Sequence, residues 1–175
     1  MLNSFYGRGT ALIALATLAA CASTPEPEAS APVDAVVPER SARVDQAPEG
    51  PIPGSAADLE QNVGNRVFFE YNEYALGQES IATLRRQAAW MKEYPEARIR
   101  LEGHADERGT REYNLALGAR RASAAKSYLV DLGIDPSRIT TVSYGKERPI
   151  DPRSTPEAWA RNRNATTVLL TTVGS

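Results

Sequence analysis

The single histidine of the chain lies in a segment dense in acidic and basic side chains, residues 102–129, which reads EGHADERGTREYNLALGARRASAAKSYL. Glu102, His104 and Asp106 are residue types that act as general acids or bases or that bind metal ions. A carboxylate and an arginine held close together could instead clamp a ligand that carries both charges. A third interpretation is a solvated helix face without any site.

The position of Arg121 in a predicted helix over residues 112–132 favours the clamp. At about 100° per residue, Arg121 and Asn114 lie within the apolar arc of this helix, whereas Arg120 points about 100° away. An arginine among core positions needs a partner, because an isolated buried charge costs several kcal/mol. Asp106 is the nearest such partner in the sequence. Two hypotheses stay open: an internal Asp106–Arg121 salt bridge that ties loop to helix, or two charges that bind a ligand together.

Catalytic and metal-binding interpretations have little support in the sequence. The chain has one histidine and one cysteine, and it contains no Gly-x-Ser-x-Gly or His-x-x-Glu motif. His104 and Asp106 lack an identifiable third and fourth metal ligand. We therefore predict no catalytic residues, no metal and no cofactor, and we expect His104 to be a hydrogen-bonded structural residue.

The N-terminus, MLNSFYGRGTALIALATLAACAS, predicts a secretory signal peptide over residues 1–20. Its apolar run, residues 11–20, is too short to span a bilayer. Cys21 follows directly, and as the only cysteine it cannot form an intrachain disulfide. This arrangement resembles the lipobox of bacterial lipoproteins, which implies cleavage before Cys21 and lipidation of that residue. Ala22, in place of an aspartate, implies sorting to the outer membrane. The alternative is a plain signal peptide with an incidental cysteine.

Composition separates a tether from a folded domain. Residues 22–54 contain seven prolines and no aromatic residue, so we predict that residues 21–57 form a disordered tether that contributes reach. Residues 22–61 carry eight acidic and two basic side chains, a balance of −6. Residues 62–175 carry 17 basic and 14 acidic side chains, a balance of +3. That charge is too small and too scattered to indicate a nucleic-acid partner.

Residues 58–175 predict one folded domain with the element order β-α-β-α-β-α-β. Strands are predicted at residues 66–71, 97–103, 138–145 and 165–173, and helices at 78–94, 112–132 and 155–163. Thr110 is a suitable N-cap and Gly133 a suitable stop for the long helix. The predicted fold class is α+β, a two-layer sandwich with helices packed on one face of a mostly four-stranded mixed sheet.

The segment 102–129, with VFFEYNEYAL before it and ITTVSYGKERP after it, resembles the OmpA-like peptidoglycan-binding domain family, and within it the lipoprotein branch known as Pal. The resemblance covers residues 66–172 in order. It implies noncovalent binding of the meso-diaminopimelate of uncrosslinked peptide stems. Asp106 would take the ammonium of diaminopimelate and Arg121 its carboxylate, through two parallel hydrogen bonds.

The same resemblance implies the surroundings of the clamp and its partners. Asn114 would support the site, and Phe69 and Glu70 would form its rim. The chain departs from the family at Glu70, where an aspartate is usual, and at Asn72, where the family often has another aspartate. The implied partners are peptidoglycan, TolB with other Tol proteins, and outer-membrane lipid through an acylated cysteine, with the domain facing the periplasm.

Two alternatives accompany this prediction. The first is an OmpA-like lipoprotein of the envelope without Tol partners. The second is a peptidoglycan hydrolase that uses His104 and Asp106, and it differs from a binding protein by releasing soluble fragments from purified cell wall.

Overall fold

The computed structural model describes residues 50–171, so the predicted signal peptide, Cys21, most of the predicted tether and residues 172–175 lie outside the described residues. The helices are α1 (Ala56–Asp58), α2 (Gln78–Glu93), α3 (Arg111–Asp131) and α4 (Pro156–Asn162), with a π-helical turn at Leu59–Val63 and a 3-10 turn at Pro136–Arg138. The strands are β1 (Arg66–Phe68), β2 (Ile99–His104), β3 (Ile139–Gly145) and β4 (Asn164–Leu169).

The four strands form one mixed sheet in the order β1-β4-β2-β3. β4 runs antiparallel to both of its neighbours, with Val67 and Gly103 flanking Ala165. β2 and β3 are parallel and pair Ile99 with Ile139. The predicted fold class, an α+β arrangement with a four-stranded mixed sheet, is confirmed.

The helices α2 and α3 cover one face of the sheet. Alternate residues of β2, Ile99 and Leu101, are fully buried on that face, as the period of two in a half-buried strand requires. Arg100 and Glu102 point to the opposite face, where Arg100 Nη2 lies 2.7 Å from Glu102 Oε1. Within residues 50–171, no helix is long and apolar enough to cross a membrane.

Two glycines set the distance between α3 and the sheet. A Cβ atom on Gly103 would overlap the carbonyl of Gly118, and one on Gly118 would lie 2.8 Å from the carbonyl oxygen of Gly103. The helix backbone therefore packs directly on the strand backbone. Ser143 in β3 adds a hydrogen bond of 2.6 Å from its hydroxyl to the carbonyl of Leu115. These contacts fix the first half of α3 above the ends of β2 and β3.

The segment before β1 is held by one carboxylate. Asp58 accepts hydrogen bonds from the backbone N–H of Gly54 at 2.9 Å, from Asn62 Nδ2 at 2.8 Å and from Trp90 Nε1 at 2.8 Å. The hydrogen bonds from Trp90 and Asn62 lower the pKa of Asp58. The short helix α1 was not predicted, because it is stabilised by the hydrogen bond between Asp58 and Trp90 in α2, which are 32 residues apart in the sequence.

The predicted helices at 78–94 and 112–132 are confirmed to within one residue at each end. Thr110 caps α3 through a hydrogen bond that its hydroxyl accepts from the backbone N–H of Tyr113, and Gly133 beyond the other end has φ +89°.

Strand β1 is shorter than predicted, ending at Phe68 and not at residue 71. The chain turns away after this point, Asn72 adopts φ +59°, and two carbonyls of the loop accept hydrogen bonds from Arg121. Strand β4 also ends early, at Leu169, while the predicted residues 172 and 173 lie outside the described part.

Candidate functional site

A small cleft lies where the loops after β1 and β2 meet the first half of α3. Its walls are the side chains and backbone of Tyr71, Asn72, Asp106, Arg108, Gly109, Tyr113, Asn114, Leu117 and Arg121. The cleft volume is about 70 Å³, far below the ~300–1,000 Å³ typical of small-molecule sites. Three of the predicted site residues, Asp106, Asn114 and Arg121, are thus brought together.

Asp106 is buried and its carboxylate is engaged by two arginines. Oδ1 accepts hydrogen bonds from the backbone N–H of Arg108 at 3.1 Å and from its Nε at 3.2 Å, and Oδ2 accepts one from Nη2 at 2.6 Å. Arg163 Nη1 lies 3.6 Å from Oδ2. Burial by itself would raise the pKa of Asp106, but the hydrogen bonds from Arg108 and the charges of both arginines outweigh burial and lower the pKa. The carboxylate is therefore ionised at neutral pH.

Arg121 is fully buried, and its guanidinium is held by three backbone carbonyls. Nε donates to Glu73 O at 2.8 Å, Nη1 to His104 O at 2.8 Å and Nη2 to Glu70 O at 3.1 Å. Burial, followed by repulsion from Arg163, lowers the pKa of Arg121 to about 10. The group stays charged at neutral pH, and it ties the loop after β1 to the end of β2.

The hypothesis of an internal Asp106–Arg121 salt bridge is wrong. Asp106 pairs with Arg108 and Arg163, and no ion pair joins it to Arg121 in residues 50–171. The physical reason is competition between partners. Arg108 is only two residues away and meets the carboxylate with both backbone and side chain, while three carbonyls hold the guanidinium of Arg121 in place without an anion.

The helical phase predicted for α3 is confirmed. Asn114 and Arg121 are buried, whereas Arg120 is exposed and its guanidinium lies 5.9 Å from the ring centre of Tyr74. Asn114 donates from Nδ2 to the carbonyl of Arg108 at 2.8 Å and so supports the loop that carries Asp106.

A hydrogen bond beside the cleft joins the loop after β1 to α3. The hydroxyl of Tyr113, in the first turn of α3, donates a hydrogen bond to Oδ1 of Asn72. Asn72 and Tyr113 are exposed residues of the cleft wall, so this bond joins two of its solvent-facing residues.

Arg108 is a cleft residue that the sequence analysis missed. Its guanidinium lies between two aromatic rings, 4.1 Å from the ring centre of Tyr71 and 4.3 Å from that of Trp159. Such cation–π contacts hold an arginine in one plane. The available signal was the Asp-x-Arg spacing, since an aspartate in a turn often accepts hydrogen bonds from the residue two positions later.

Phe69 and Glu70 do not line the cleft. Phe69 is buried, with its ring 5.2 Å from the guanidinium carbon of Arg121, so it packs behind the site. Glu70 contributes its backbone carbonyl to Arg121. Both residues border a separate cavity of about 680 Å³ between β1, the start of α2 and α4.

His104 is buried at the end of β2 and does not line the cleft. Its Nδ1 has no hydrogen-bond partner within residues 50–171, while a hydrogen bond with the backbone of Arg148 acts on the imidazole, so the expectation of a hydrogen-bonded residue holds only in part. The ring packs 5.6 Å from the ring centre of Tyr144. Burial lowers the pKa of His104, which keeps the imidazole neutral at pH 7. No group of three or more His, Cys, Asp or Glu side chains in the described part of the chain could hold a metal ion.

Residues 68–163 match the OmpA family. The chain is 43% identical to the peptidoglycan-associated lipoprotein of Mesorhizobium japonicum over 159 residues, which cover 91% of this chain and 89% of that protein. It is 52% identical to the peptidoglycan-associated lipoprotein of Rhizobium meliloti over 117 residues, 67% of this chain and 66% of the relative.

Solved structures give the same result for the fold. The crystal structure of the peptidoglycan-associated lipoprotein from Burkholderia pseudomallei has a TM-score of 0.59 at 38% identity, covering 60% of this chain and 89% of that one. The C-terminal domain of Helicobacter pylori MotB, with a TM-score of 0.58 at 24% identity, covers 61% of this chain and 84% of that one and shares the fold alone. The relatives are not enzymes, and the prediction of a non-enzymatic protein is confirmed by this relationship. With the family match spanning more than half of its length, the chain belongs to the OmpA family.

Proposed function

We propose that this chain is an outer-membrane lipoprotein that binds peptidoglycan noncovalently and thereby holds the membrane to the cell wall. The observation that carries the proposal is the cleft that is lined both by an ionised Asp106, in the loop after β2, and by a charged, buried Arg121, in α3. Loops at the end of strands on a rigid scaffold commonly bind ligands. The names of the two relatives described above, at 43% and 52% identity, support peptidoglycan as the partner.

The ligand group proposed for the cleft is the free end of meso-diaminopimelate in an uncrosslinked stem. That end carries an ammonium and a carboxylate on one carbon, which complements one acidic and one basic side chain. Asp106 takes the ammonium. Arg121 has five N–H donors, of which three donate to carbonyls, so two remain without a partner among residues 50–171 and receive the carboxylate.

Binding requires the cleft to widen. A volume of about 70 Å³ is several times smaller than the ~300 Å³ or more of typical ligand sites. The hydrogen bond between Tyr113 and Asn72 joins two residues of the cleft wall, so it breaks when the cleft widens. Phe69 stays behind the guanidinium, and Glu70 contributes through its backbone carbonyl.

The proposal includes a place in the Tol system, with TolB as a periplasmic partner, in cell division and envelope integrity. Family resemblance is its support. The alternative is an OmpA-like lipoprotein without Tol partners. Co-purification of TolB with the full-length protein from solubilised envelopes distinguishes the two, since recovery of peptidoglycan without TolB favours the alternative.

The test of the clamp compares two adjacent arginines. Arg121→Ala removes a buried charge at the cleft, and it should weaken binding to diaminopimelate peptides by well over tenfold. Truncating one partner of a desolvated charged site typically costs about 2–5 kcal/mol. Arg120→Ala removes an exposed charge, worth roughly 0–1 kcal/mol, and should change binding little. Calorimetry measures the affinities.

Two controls accompany this test. Circular dichroism on both variants separates loss of the fold from loss of the site, because Arg121 also ties two loops together. The full-length protein should co-sediment with purified sacculi without releasing soluble muropeptides. Abolished binding in Arg120→Ala with intact binding in Arg121→Ala would show that the clamp is assigned to the wrong residues.

The membrane anchor is proposed to be lipid on Cys21, the only cysteine of the chain. Several acyl chains on one residue give stable anchoring, at about 0.8 kcal/mol per buried CH₂. Cys21→Ser should move the protein from washed outer membranes to the soluble periplasmic fraction. Retention of the variant in the membrane fraction would show another mode of attachment.

The predicted boundary between tether and domain at residues 57 and 58 lies too late in the chain, because Ser55 caps α1 and the N–H of Gly54 donates to Asp58. We further propose that the part of the predicted tether, residues 21–57, that precedes Gly54 lies outside the recognition site. A variant lacking residues 22–49 would keep Gly54, whose N–H donates to Asp58. It should bind diaminopimelate peptides as the full chain does. A large loss of affinity in a folded variant would place part of the tether in the site.

A further inference from the structure

Guanidinium groups already surround the carboxylate of Asp106. A carboxylate offers about four lone-pair sites. Three accept hydrogen bonds from Arg108 at 2.6–3.2 Å, and Arg163 Nη1 lies 3.6 Å from Oδ2. An incoming ammonium therefore has to displace one guanidinium.

Arg108 is the guanidinium that can leave. Its side chain is 35% exposed, whereas that of Arg163 is 13% exposed. Arg163 is also tied elsewhere, because its Nε donates to the carbonyl of Phe69 at 2.9 Å. Arg108 makes its side-chain hydrogen bonds only to Asp106 among residues 50–171, and its two aromatic neighbours would keep the guanidinium plane at the mouth of the cleft after it moves.

The displaced Arg108 then needs an anion. A ligand end that carries only an ammonium takes the aspartate and leaves Arg108 without one, close to Arg163 and Arg121. A ligand end that carries a carboxylate on the same carbon supplies the missing partner, because a carboxylate has about four acceptor positions and accepts hydrogen bonds from Arg108 as well as from Arg121. One internal ion pair is exchanged for two ion pairs with the ligand.

We infer that Arg108 is a specificity-determining residue of this cleft. It selects a peptide stem that ends in diaminopimelate over the same stem ending in lysine. The two stems differ at that end by one carboxylate. This inference rests on the proposed function, because it assumes that the stem end enters the cleft at Asp106.

The chain offers a matched control for Arg108. Arg153 makes the same three hydrogen bonds to Asp151, from its backbone N–H at 3.2 Å, Nε at 2.9 Å and Nη2 at 2.6 Å, and it does not line the cleft. Arg153→Gln thus removes equivalent bonds away from the ligand. Arg108→Lys keeps the charge at the cleft and serves as the conservative variant.

The experiment measures two affinities by calorimetry on the full-length protein in detergent. The probes are the tripeptides L-Ala-γ-D-Glu-meso-diaminopimelate and L-Ala-γ-D-Glu-L-Lys. The unsubstituted protein should prefer the first by at least about a hundredfold, since a site built for a polar group strongly rejects the analogue that lacks it. Arg108→Gln should weaken diaminopimelate binding about tenfold and leave lysine binding equal or stronger, so the preference falls to about tenfold or less.

The controls separate selectivity from stability. Arg153→Gln should keep both affinities within about twofold, and Arg108→Lys should restore part of the preference that Arg108→Gln loses, which a purely structural role of Arg108 would not produce. An undiminished preference in Arg108→Gln overturns this inference and leaves the proposed function standing. Absence of binding of the diaminopimelate peptide to the unsubstituted protein overturns both.

Discussion

Two turns in this chain share the sequence Asp-x-Arg, one at residues 106–108 and one at 151–153. In each, the aspartate accepts hydrogen bonds from the backbone N–H, Nε and Nη2 of the arginine, and the shortest distance is 2.6 Å in both. In each, a second arginine approaches Oδ2 of the aspartate. Arg163, directly after α4, lies 3.6 Å from Asp106, and Arg161, in α4, lies 3.3 Å from Asp151. The local geometry is therefore nearly identical.

The surroundings of the two turns differ. Arg108 is enclosed by Tyr71 and Trp159 beside a cleft, whereas Arg153 is 63% exposed. Asp151 is instead fixed through its backbone, whose carbonyl accepts a hydrogen bond of 2.7 Å from Asn162 Nδ2. The second turn therefore connects the preceding loop to Asn162 in α4. A short motif thus sets hydrogen bonds, while the fold around it decides whether those bonds face a ligand.

The largest expected difference between the turns is in ligand binding. Asp106→Asn should weaken binding of diaminopimelate peptides by well over tenfold, because it removes the charge that pairs with the ligand ammonium, at a cost of about 2–5 kcal/mol. Asp151→Asn should leave the affinity within about twofold and lower the melting temperature. Calorimetry and thermal unfolding measure the two effects. Equal losses of affinity in both variants would mean that the turns are not functionally distinct.

A second comparison concerns how the two aspartates affect the stability of the fold at low pH. Hydrogen bonds from Arg153 lower the pKa of Asp151, and the hydrogen bonds and charges of the arginines around Asp106 lower its pKa despite burial. A carboxyl whose pKa is lower in the folded state stabilises the fold above its unfolded pKa of about 3.9. That stabilisation is lost as the pH falls through the lower, folded pKa.

Urea unfolding between pH 7 and pH 2 tests this linkage. The free energy of unfolding should decline below about pH 4, and Asp106→Asn and Asp151→Asn should each flatten the decline. Added diaminopimelate peptide should protect the unsubstituted protein and Asp151→Asn, but not Asp106→Asn. A decline that stays parallel in all three proteins would exclude both carboxylates as its source.

The smallest expected effect on affinity comes from removing an aromatic ring that contacts Arg108, compared with removing one that contacts Arg148. Trp159→Leu removes one ring beside Arg108, and it should change diaminopimelate-peptide affinity by about two- to fivefold, as expected for a cation–π contact of about 0.5–1 kcal/mol. Tyr144→Leu removes a comparable contact, 3.8 Å from the guanidinium of Arg148, away from the cleft. It should leave the affinity unchanged in the same calorimetric titration. A larger effect of Tyr144→Leu would argue against a local role for Trp159.

The sequence was sufficient to predict the helix that carries the site. Thr110 and Gly133 are local signals, and the apolar period of α3 places Arg121 and Asn114 inside without any knowledge of the sheet. The order of the main elements along the chain and the class of the fold follow from similar alternation and from the alternating elements. The order of the strands within the sheet, β1-β4-β2-β3, was not predicted.

The partners of Arg121 could not be predicted in the same way. All three are backbone carbonyls, which every residue possesses, so no side chain at Glu70 or Glu73 signals the contact. The early end of β1 could not be predicted for the same reason, because the loop that follows it is held by the backbone carbonyls that Arg121 contacts. The Asp106–Arg108 pair, in contrast, was within reach of sequence analysis, because its spacing recurs at residues 151–153.

The three hydrogen bonds that the carboxylate of Asp58 accepts determine where a mechanical force on the N-terminal side enters the domain. A pull applied to the chain before Gly54 reaches the N–H of Gly54, which is bonded to Asp58, and passes through Asp58 to Trp90 in α2. Tension is therefore delivered to α2 and the core before it reaches the three-residue edge strand β1, which has only one neighbouring strand and would otherwise peel away bond by bond.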